Sequence, residues 1–314
     1  MEQRNLGISG LKVSAVGLGC NNFGGRIDFG ATQAVVHKAL DLGITFFDTS
    51  DTYGDPRGAA ETYLGQILGP RRKDIVLATK FARPMDASGR AEGASRHYII
   101  SAVEASLRRL GTDWIDLYQQ HQPDPSTPIE ETLRALDDLV RQGKVRYLGC
   151  STLPAWQVVE AQWTARHFNL NHFICCQEEY SLLARDLETD MLPMIEAYGL
   201  GLIPFRPLAD GLLTGKYRRG APPPTGTRLA STPRAADRYR GETVWQQIER
   251  LAGFAAERGH TLIDLAFGWL LSRPPVASVI AGATRPEQVE SNVRAAGAWR
   301  LSAEEFATVE RLTA

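Results

Sequence analysis

FFDTSDTYG, running from Phe46 to Gly54, sets two aromatic side chains in front of five polar residues and a tyrosine, and closes on glycine. Its simplest reading is a short buried strand that ends at Asp48 and opens into a polar turn. The stretch decides the fold because its pattern recurs. Short apolar runs of the same kind stand at AVGLG, IVLATK, IDLYQQH, VRYLGCS, HFICCQ, LGLIPFR and VASVIAG. Between the runs lie longer segments with helical period, among them TQAVVHKALDLG and PIEETLRALDDLVRQG. Several stop at glycine, the common helix terminator: Gly43, Gly111, Gly143 and Gly199.

Eight strands alternating with helices imply right-handed crossovers and a parallel sheet. Near-continuous apolar strands imply that both faces of that sheet are covered. Eight such units within one chain of 314 residues fit a closed barrel better than an open doubly wound sheet. The segment GLGCNNFGG after the first run lacks the glycine spacing of the open-sheet dinucleotide fold. Ahead of the barrel, RNLG, a Ser9-Gly10 turn and LKVS read as a small hairpin. The expectation is a single (β/α)8 TIM barrel domain over residues 1–314 with an N-terminal β-hairpin. One segment breaks the rhythm. From Thr214 to Thr243 the chain is rich in Pro, Gly and Arg, as in APPPTGTRLASTPR, and a stretch of that length without periodicity reads as a functional or mobile loop.

Chemistry in such a barrel sits at the C-terminal ends of the strands. The runs end, in order, at Gly19-Cys20, Asp48, Lys80, His121, Ser151, Gln177, Arg206 and Gly282. Six of these eight ends carry a functional side chain, and each has a plain structural explanation, but together they would have to reach one rim by accident. Asp48, Lys80 and His121 end consecutive strands, about 5 Å apart in a sheet. Tyr53 follows Asp48 closely enough to fold back over the rim, at the expected start of the next helix. A phenol titrates near pH ~10 and donates a proton at neutral pH only if its anion is favoured. The Lys80 ammonium beside it is expected to do that, with Asp48 holding the lysine. His121 either orients a carbonyl oxygen or shares in proton transfer. Asp51 is expected to cap the following helix.

Composition narrows the function classes. The chain is 43% hydrophobic and 23% charged with a net charge of −1, which offers no electrostatic footprint for nucleic acid or an anionic membrane. The most apolar long segment, TLIDLAFGWLLSRPP, contains Asp264 and is too short to span a bilayer. Four cysteines, Cys20, Cys150, Cys175 and Cys176, fit neither a zinc site nor a disulfide framework. With no visible signal peptide, a cytoplasmic protein is expected. One histidine and one carboxylate at the rim make no metal set, and Ser151 lacks a marked base for a serine triad.

At this point the residues resemble the aldo-keto reductase family along nearly the whole chain. GITFFDTSDTYG is similar to its aspartate-and-tyrosine motif, LATKF to its lysine strand and IDLYQQHQPD to its histidine strand; CCQEEYSLL and PLADGLLTGKY look like later signatures. The resemblance implies hydride transfer from NADPH to an aldehyde or ketone, with Asp48, Tyr53, Lys80 and His121 as the catalytic four and Tyr53 as general acid. It implies Ser151 and Gln177 at the nicotinamide carboxamide, and Phe205 stacked on the ring. Pro207, Leu208, Gly211 and Lys216 would lie along the pyrophosphate, Arg206 would meet either a cofactor phosphate or an anionic group on the substrate, and Gly282 with the stretch GATRPEQVESN would grip the adenosine end. There Thr284 reads as an N-cap with Glu287 three residues on, a capping box, whose helix N-terminus favours a phosphate. Arg285 can add a bidentate contact to a 2′-phosphate, favouring NADP over NAD. Gln288 and Asn292, one turn apart, can both face the adenine. The chain departs from the family's pattern at Thr152, Ser291 and Arg206.

Substrate choice is expected to rest on Asn21, Asn22, Phe23 and Gln122, together with the Pro-rich loop. Amides at the mouth favour a hydroxylated, sugar-like carbonyl over a steroid. The resemblance leaves two alternatives: an NADP-binding regulatory subunit resembling potassium-channel β subunits, and an NADP-dependent sugar dehydrogenase working in the oxidative direction. The expected partner is a small-molecule carbonyl, with no nucleic acid, membrane or metal, and the oligomeric state is open.

Overall fold

The computed structural model describes residues 1–232, 237–239 and 241–313. A two-stranded antiparallel hairpin comes first, β1 Gln3–Asn5 and β2 Lys12–Ser14. Eight parallel strands follow: β3 Val16–Gly19, β4 Phe46–Asp48, β5 Val76–Phe81, β6 Ile115–Gln120, β7 Val145–Ser151, β8 Phe173–Glu179, β9 Gly201–Phe205 and β10 Val279–Gly282. They pair in the order β10-β3-β4-β5-β6-β7-β8-β9. The ring closes where Leu202 of β9 bonds to Pro275 and Ala277, just ahead of β10. All eight strand runs read from the sequence are strands. Between them stand α1 Phe29–Asp41, α2 Ala59–Leu68, α3 Arg96–Leu110, α4 Ile129–Arg141, α5 Ala155–His167 and α6 Met191–Tyr198, with later helices at Glu242–Ala256, Leu262–Leu271 and Pro286–Ala298. The result is the expected (β/α)8 barrel. Gly43, Gly111, Gly143 and Gly199 all take the left-handed conformation that ends a helix.

Successive side chains of a strand point to opposite faces, and this explains how FFD is used. Phe46 faces inward, in a cluster with Ala78, Leu117, Cys175, Ile203 and Ile280. Phe47 faces outward into the larger core shared with the helices. Asp48, two residues after Phe46, faces inward again, one layer nearer the mouth. The same parity sends Lys80, Gln119, Ser151 and Gln177 to the mouth. Leu6 and Val13 of the hairpin pack into the inner cluster and close the opposite end. Gly17 leaves room for the inner cluster: a Cβ there would sit 2.4 Å from Ile280 Cδ1, and that side chain would have to shift.

Part of the Pro-rich segment is ordered into a short helix, Arg228–Ser231, while residues 233–236 and 240 lie outside the described residues. Among the described residues, no helix is long and apolar enough to cross a membrane.

Candidate active site and cofactor cleft

Strand ends and one turn assemble the centre. The turn after β4 continues the ladder onto β5, with Thr49 N–H donating to Ala78 C=O at 2.9 Å and Asp51 N–H to Lys80 C=O at 3.3 Å. Tyr53 lies in this turn, six residues ahead of the start of α2. Gly54 makes the reversal possible: its φ is 96°, and a Cβ would meet that of Ala59 at 2.7 Å. Lys80 is fully buried. Its Nζ donates to Asp48 Oδ2 at 2.7 Å and to Thr49 C=O at 2.8 Å, and stands 5.3 Å from the centre of the Tyr53 ring. The His121 and Tyr53 rings meet edge to face at 5.9 Å. Two buried amides complete the arrangement. Gln119 Nε2 and Gln177 Nε2 donate to Asp48 Oδ1 at 3.1 and 2.9 Å.

The electrostatics follow from burial. Burial pushes the Lys80 pKa down, but Asp48 and Tyr53 beside it carry it above the ordinary lysine value. Tyr53 differs from the sequence-based expectation. Burial raises its pKa, and Lys80 opposes this without overcoming it, so the resting phenol keeps its proton. His121 is pushed down to about 2 by burial and by Lys80 and Arg83 nearby. The imidazole is therefore neutral at any working pH, which favours an orienting role over that of a charged acid.

From this centre a cavity of about 850 Å³ runs across the rim to the helix Pro286–Ala298. Its inner end is lined by Asp48, Tyr53, His121, Ser151 and Gln177. Phe205, Arg206, Pro207, Leu208, Gly211 and Lys216 line its middle, and Gly282, Thr284, Arg285, Gln288 and Asn292 its far end. The segment after β9 is strained: Arg206, Ala209 and Asp210 have φ of 52°, 46° and 55°. Such conformations cost about 1–3 kcal/mol each and gather at ligand clamps. Arg206 pairs with Glu179 at 3.3 Å and Asp210 at 3.7 Å. Among the described residues, Arg26, Arg83, Lys216 and Arg285 line the cavity without a carboxylate partner within ion-pair distance.

Several expectations need correction. Thr284 is not the cap of the last cavity helix: Pro286 occupies the first helical position, so the cap is Arg285, with no side-chain bond to the first turn. Gln288 reaches back instead, its Oε1 accepting from Thr284 N–H at 2.7 Å. No capping box forms there; reciprocal boxes form instead at Thr261 with Asp264 and at Ser302 with Glu305. Phe23 does not line the cavity. The chain reverses after β3, with Phe23 N–H bonded to Cys20 C=O, and the ring is fully buried in the outer core. Gln122 also points elsewhere, donating to Ala82 C=O at 3.3 Å. Asn21 and Asn22 do line the cavity, but against Gly282 rather than beside Tyr53. Asp51 caps no helix, since α2 begins eight residues later behind Gly58; its carboxyl is buried.

Sequence reasoning missed Ser50, Arg83 and Gln119. Gln119 was detectable, since it shares the inward parity of Leu117 on β6. Ser50 and Arg83 carried no signal, because a turn has no fixed period.

The donor set fits a phosphorylated dinucleotide on local grounds. Among the described residues, four cations without carboxylate partners line one cavity, a helix N-terminus without a side-chain cap stands at its end, and the buried Asn22 Oδ1 has no partner. A sequence model of the aldo/keto reductase family matches residues 15–314. The chain is 39% identical over 305 residues to a probable voltage-gated potassium channel subunit beta of Arabidopsis thaliana, covering 94% of this chain and 91% of that protein. It is 34% identical over 324 residues to an L-glyceraldehyde 3-phosphate reductase of Escherichia coli strain K12, covering 99% and 92%. An uncharacterized oxidoreductase of Bacillus subtilis is 36% identical over 304 residues, covering 94% and 91%. With that match spanning every strand of the barrel and the rim just described, the chain belongs to the aldo/keto reductase family.

Proposed function

We propose that this protein is an NADPH-dependent reductase of aldehydes or ketones, built as one barrel domain, acting in the cytoplasm with Tyr53 as the general acid. The observation that carries the reading is the clustering at one cavity mouth of a phenol, a fully buried ammonium held by a carboxylate, and a neutral imidazole. NADPH, when bound along the groove, supplies the hydride. Ser151 and Gln177 would hold its nicotinamide end, Phe205 its ring face, and Lys216 and Arg285 its phosphates.

The protein's own side chains manage the proton. Tyr53 donates its phenolic proton to the carbonyl oxygen as negative charge develops there. Burial makes the resulting phenolate costly, and the nearby Lys80 ammonium offsets that cost where water cannot. Asp48 fixes the ammonium. The neutral His121 ring orients the carbonyl by a hydrogen bond. Arg83, at the mouth and close enough to act on both Tyr53 and His121, would accept an anionic group on a short substrate. The Escherichia coli relative, named for a phosphorylated aldehyde, favours a short hydroxylated or phosphorylated carbonyl over a bulky apolar one.

Replacing Tyr53 by Phe tests the reading. Turnover with a good carbonyl should fall about 10²–10⁴-fold while NADPH quenches protein fluorescence with unchanged affinity. Reduction by Tyr53→Phe at the native rate would overturn the acid assignment. The Arabidopsis relative supports a second reading, a dinucleotide-binding subunit of a channel. Tight NADPH binding with negligible turnover across a broad carbonyl panel would select it. Faster reaction with NADP⁺ and sugars than with NADPH and aldehydes would indicate the oxidative direction.

A further inference from the structure

Asp51 does not touch the cavity, and the mechanism above leaves it without a task. It is nonetheless 1% exposed, and no cation pairs with it among the described residues. Its Oδ1 accepts from Ser50 Oγ at 3.1 Å. The same Ser50 Oγ lies 3.1 Å from His121 Nδ1. Ser50 is fully buried and His121 is 4% exposed, so carboxyl, hydroxyl and imidazole form a dry chain ending at the cavity. Thr52 holds the middle member, its N–H and Oγ1 lying 3.3 and 3.1 Å from Ser50 Oγ.

Because a hydroxyl has one proton, two arrangements relay it along the whole chain, the second requiring the Asp51 proton on Oδ1, the oxygen that faces Ser50. With Asp51 ionised, Ser50 donates to the carboxylate and accepts from Nδ1–H, which leaves Nε2 bare. With Asp51 protonated, the carboxyl donates to Ser50, Ser50 donates to Nδ1, and the ring proton sits on Nε2. The imidazole carries one proton in both. The two states differ by one proton on Asp51, and the ring proton changes nitrogen through exchange at the cavity.

We infer that Asp51 is a positioning residue that selects the tautomer of His121 through Ser50. Only the Nε2–H tautomer offers a donor to a carbonyl oxygen; the other offers an acceptor suited to an alcohol. The groups facing Asp51 place the transition in the working range. From α2 comes Glu61, held by Thr79 Oγ1 at 2.6 Å and Arg109 Nε at 2.7 Å. From α3 come Arg109, already occupied by Glu61, and Tyr98, whose OH lies 3.5 Å from Oδ2. The Tyr118 phenol faces it from β6. Burial, with the charge of Glu61, raises the Asp51 pKa to about 7, against weaker lowering by Ser50 and Arg109. Lys80 and Arg83 act on the ring itself and keep it from gaining a second proton.

The catalytic consequence rests on the reductase reading; the tautomer does not, and it is measured without substrate. Nitrogen-15 NMR of the imidazoles, with the His121 signals assigned by their loss in His121→Asn, is recorded from pH 5.5 to 9. The native protein should pass from the Nε2–H to the Nδ1–H form with a midpoint near 7. In Asp51→Asn, whose amide can donate to Ser50, the Nε2–H form should persist throughout. The native reduction rate should fall about tenfold per pH unit above the midpoint, and the variant should lose that limb. A native imidazole that keeps one tautomer across the range overturns the inference, as does an Asp51→Asn protein that still switches. Because the native titration alone is decisive, a variant that fails to fold leaves the inference open to refutation.

Discussion

The two ends of the cavity handle charge in opposite ways. At the catalytic end the ammonium and carboxylate are buried against each other, and both oxygens of Asp48 are bonded within the protein. From the middle to the far end, Lys216 and Arg285 face the groove with no carboxylate partner among the described residues. The catalytic end is thus complete before anything binds, and no reorganisation is needed when charge develops. The far end leaves Arg285 without an ion-pair partner among the described residues, although Glu287 also lines it, and on the proposed reading a polyanion would complete it. On the proposed reading one barrel rim holds a preorganised reaction centre and a charge-driven docking groove, and mutations in the two should behave differently.

Removing a charge from the closed end should cost the fold. Lys80→Met leaves Asp48 buried without its ammonium, a loss of about 3–5 kcal/mol, read as a lower midpoint in urea denaturation. Lys80→Met combined with Asp48→Asn should recover much of it. A single variant that unfolds at the native midpoint would break the contrast. Removing a charge from the open end should spare the fold and weaken binding. Arg285→Ala should keep the native midpoint yet bind NADPH about 10–100-fold more weakly, as expected for a charged hydrogen bond of about 1.5–3 kcal/mol, while NADH binding changes little. Equal losses for both dinucleotides would remove Arg285 from the 2′-phosphate.

Glu178, next to Gln177 on β8 but outside the cavity lining, extends the contrast to a lone carboxyl. It accepts from Thr152 N–H at 2.8 Å and pairs with no cation among the described residues; burial pushes its pKa up to about 8. The folded state therefore holds this proton more tightly than the unfolded chain. Its stabilising contribution is present below the ordinary carboxyl value and is lost as pH rises toward about 8. Glu178→Gln should flatten the dependence of Tm on pH between 5 and 9 and melt a few degrees above the native protein at pH 9. An unchanged slope would mean the carboxyl is not buried in solution.

How far the sequence could be read divides along similar lines. Strand ends were legible because a strand has a fixed period and a barrel rim a fixed location, so Asp48, Lys80 and His121 converge as expected. Local rules failed where the chain turns. Phe23 follows β3 by only four residues, but nothing in its neighbours signals the reversal that buries it. Thr284 had the composition of a cap, yet Pro286 shifts the helix start past it. Asp51 looked like a cap because the turn after β4 reads as shorter than it is. The phenol's raised pKa was out of reach for another reason: it is a balance between burial and Lys80, and spacing shows the partner but not how much water is excluded.

Asp48 belongs to β4, but its carboxylate binds side chains from β5, β6 and β8. A single residue therefore laces half the staves of the barrel together at the mouth. A descendant that gave up turnover and kept only its dinucleotide would still need that knot to hold its shape. Persistence of this aspartate in a relative would therefore speak for the shape of the rim before it spoke for turnover.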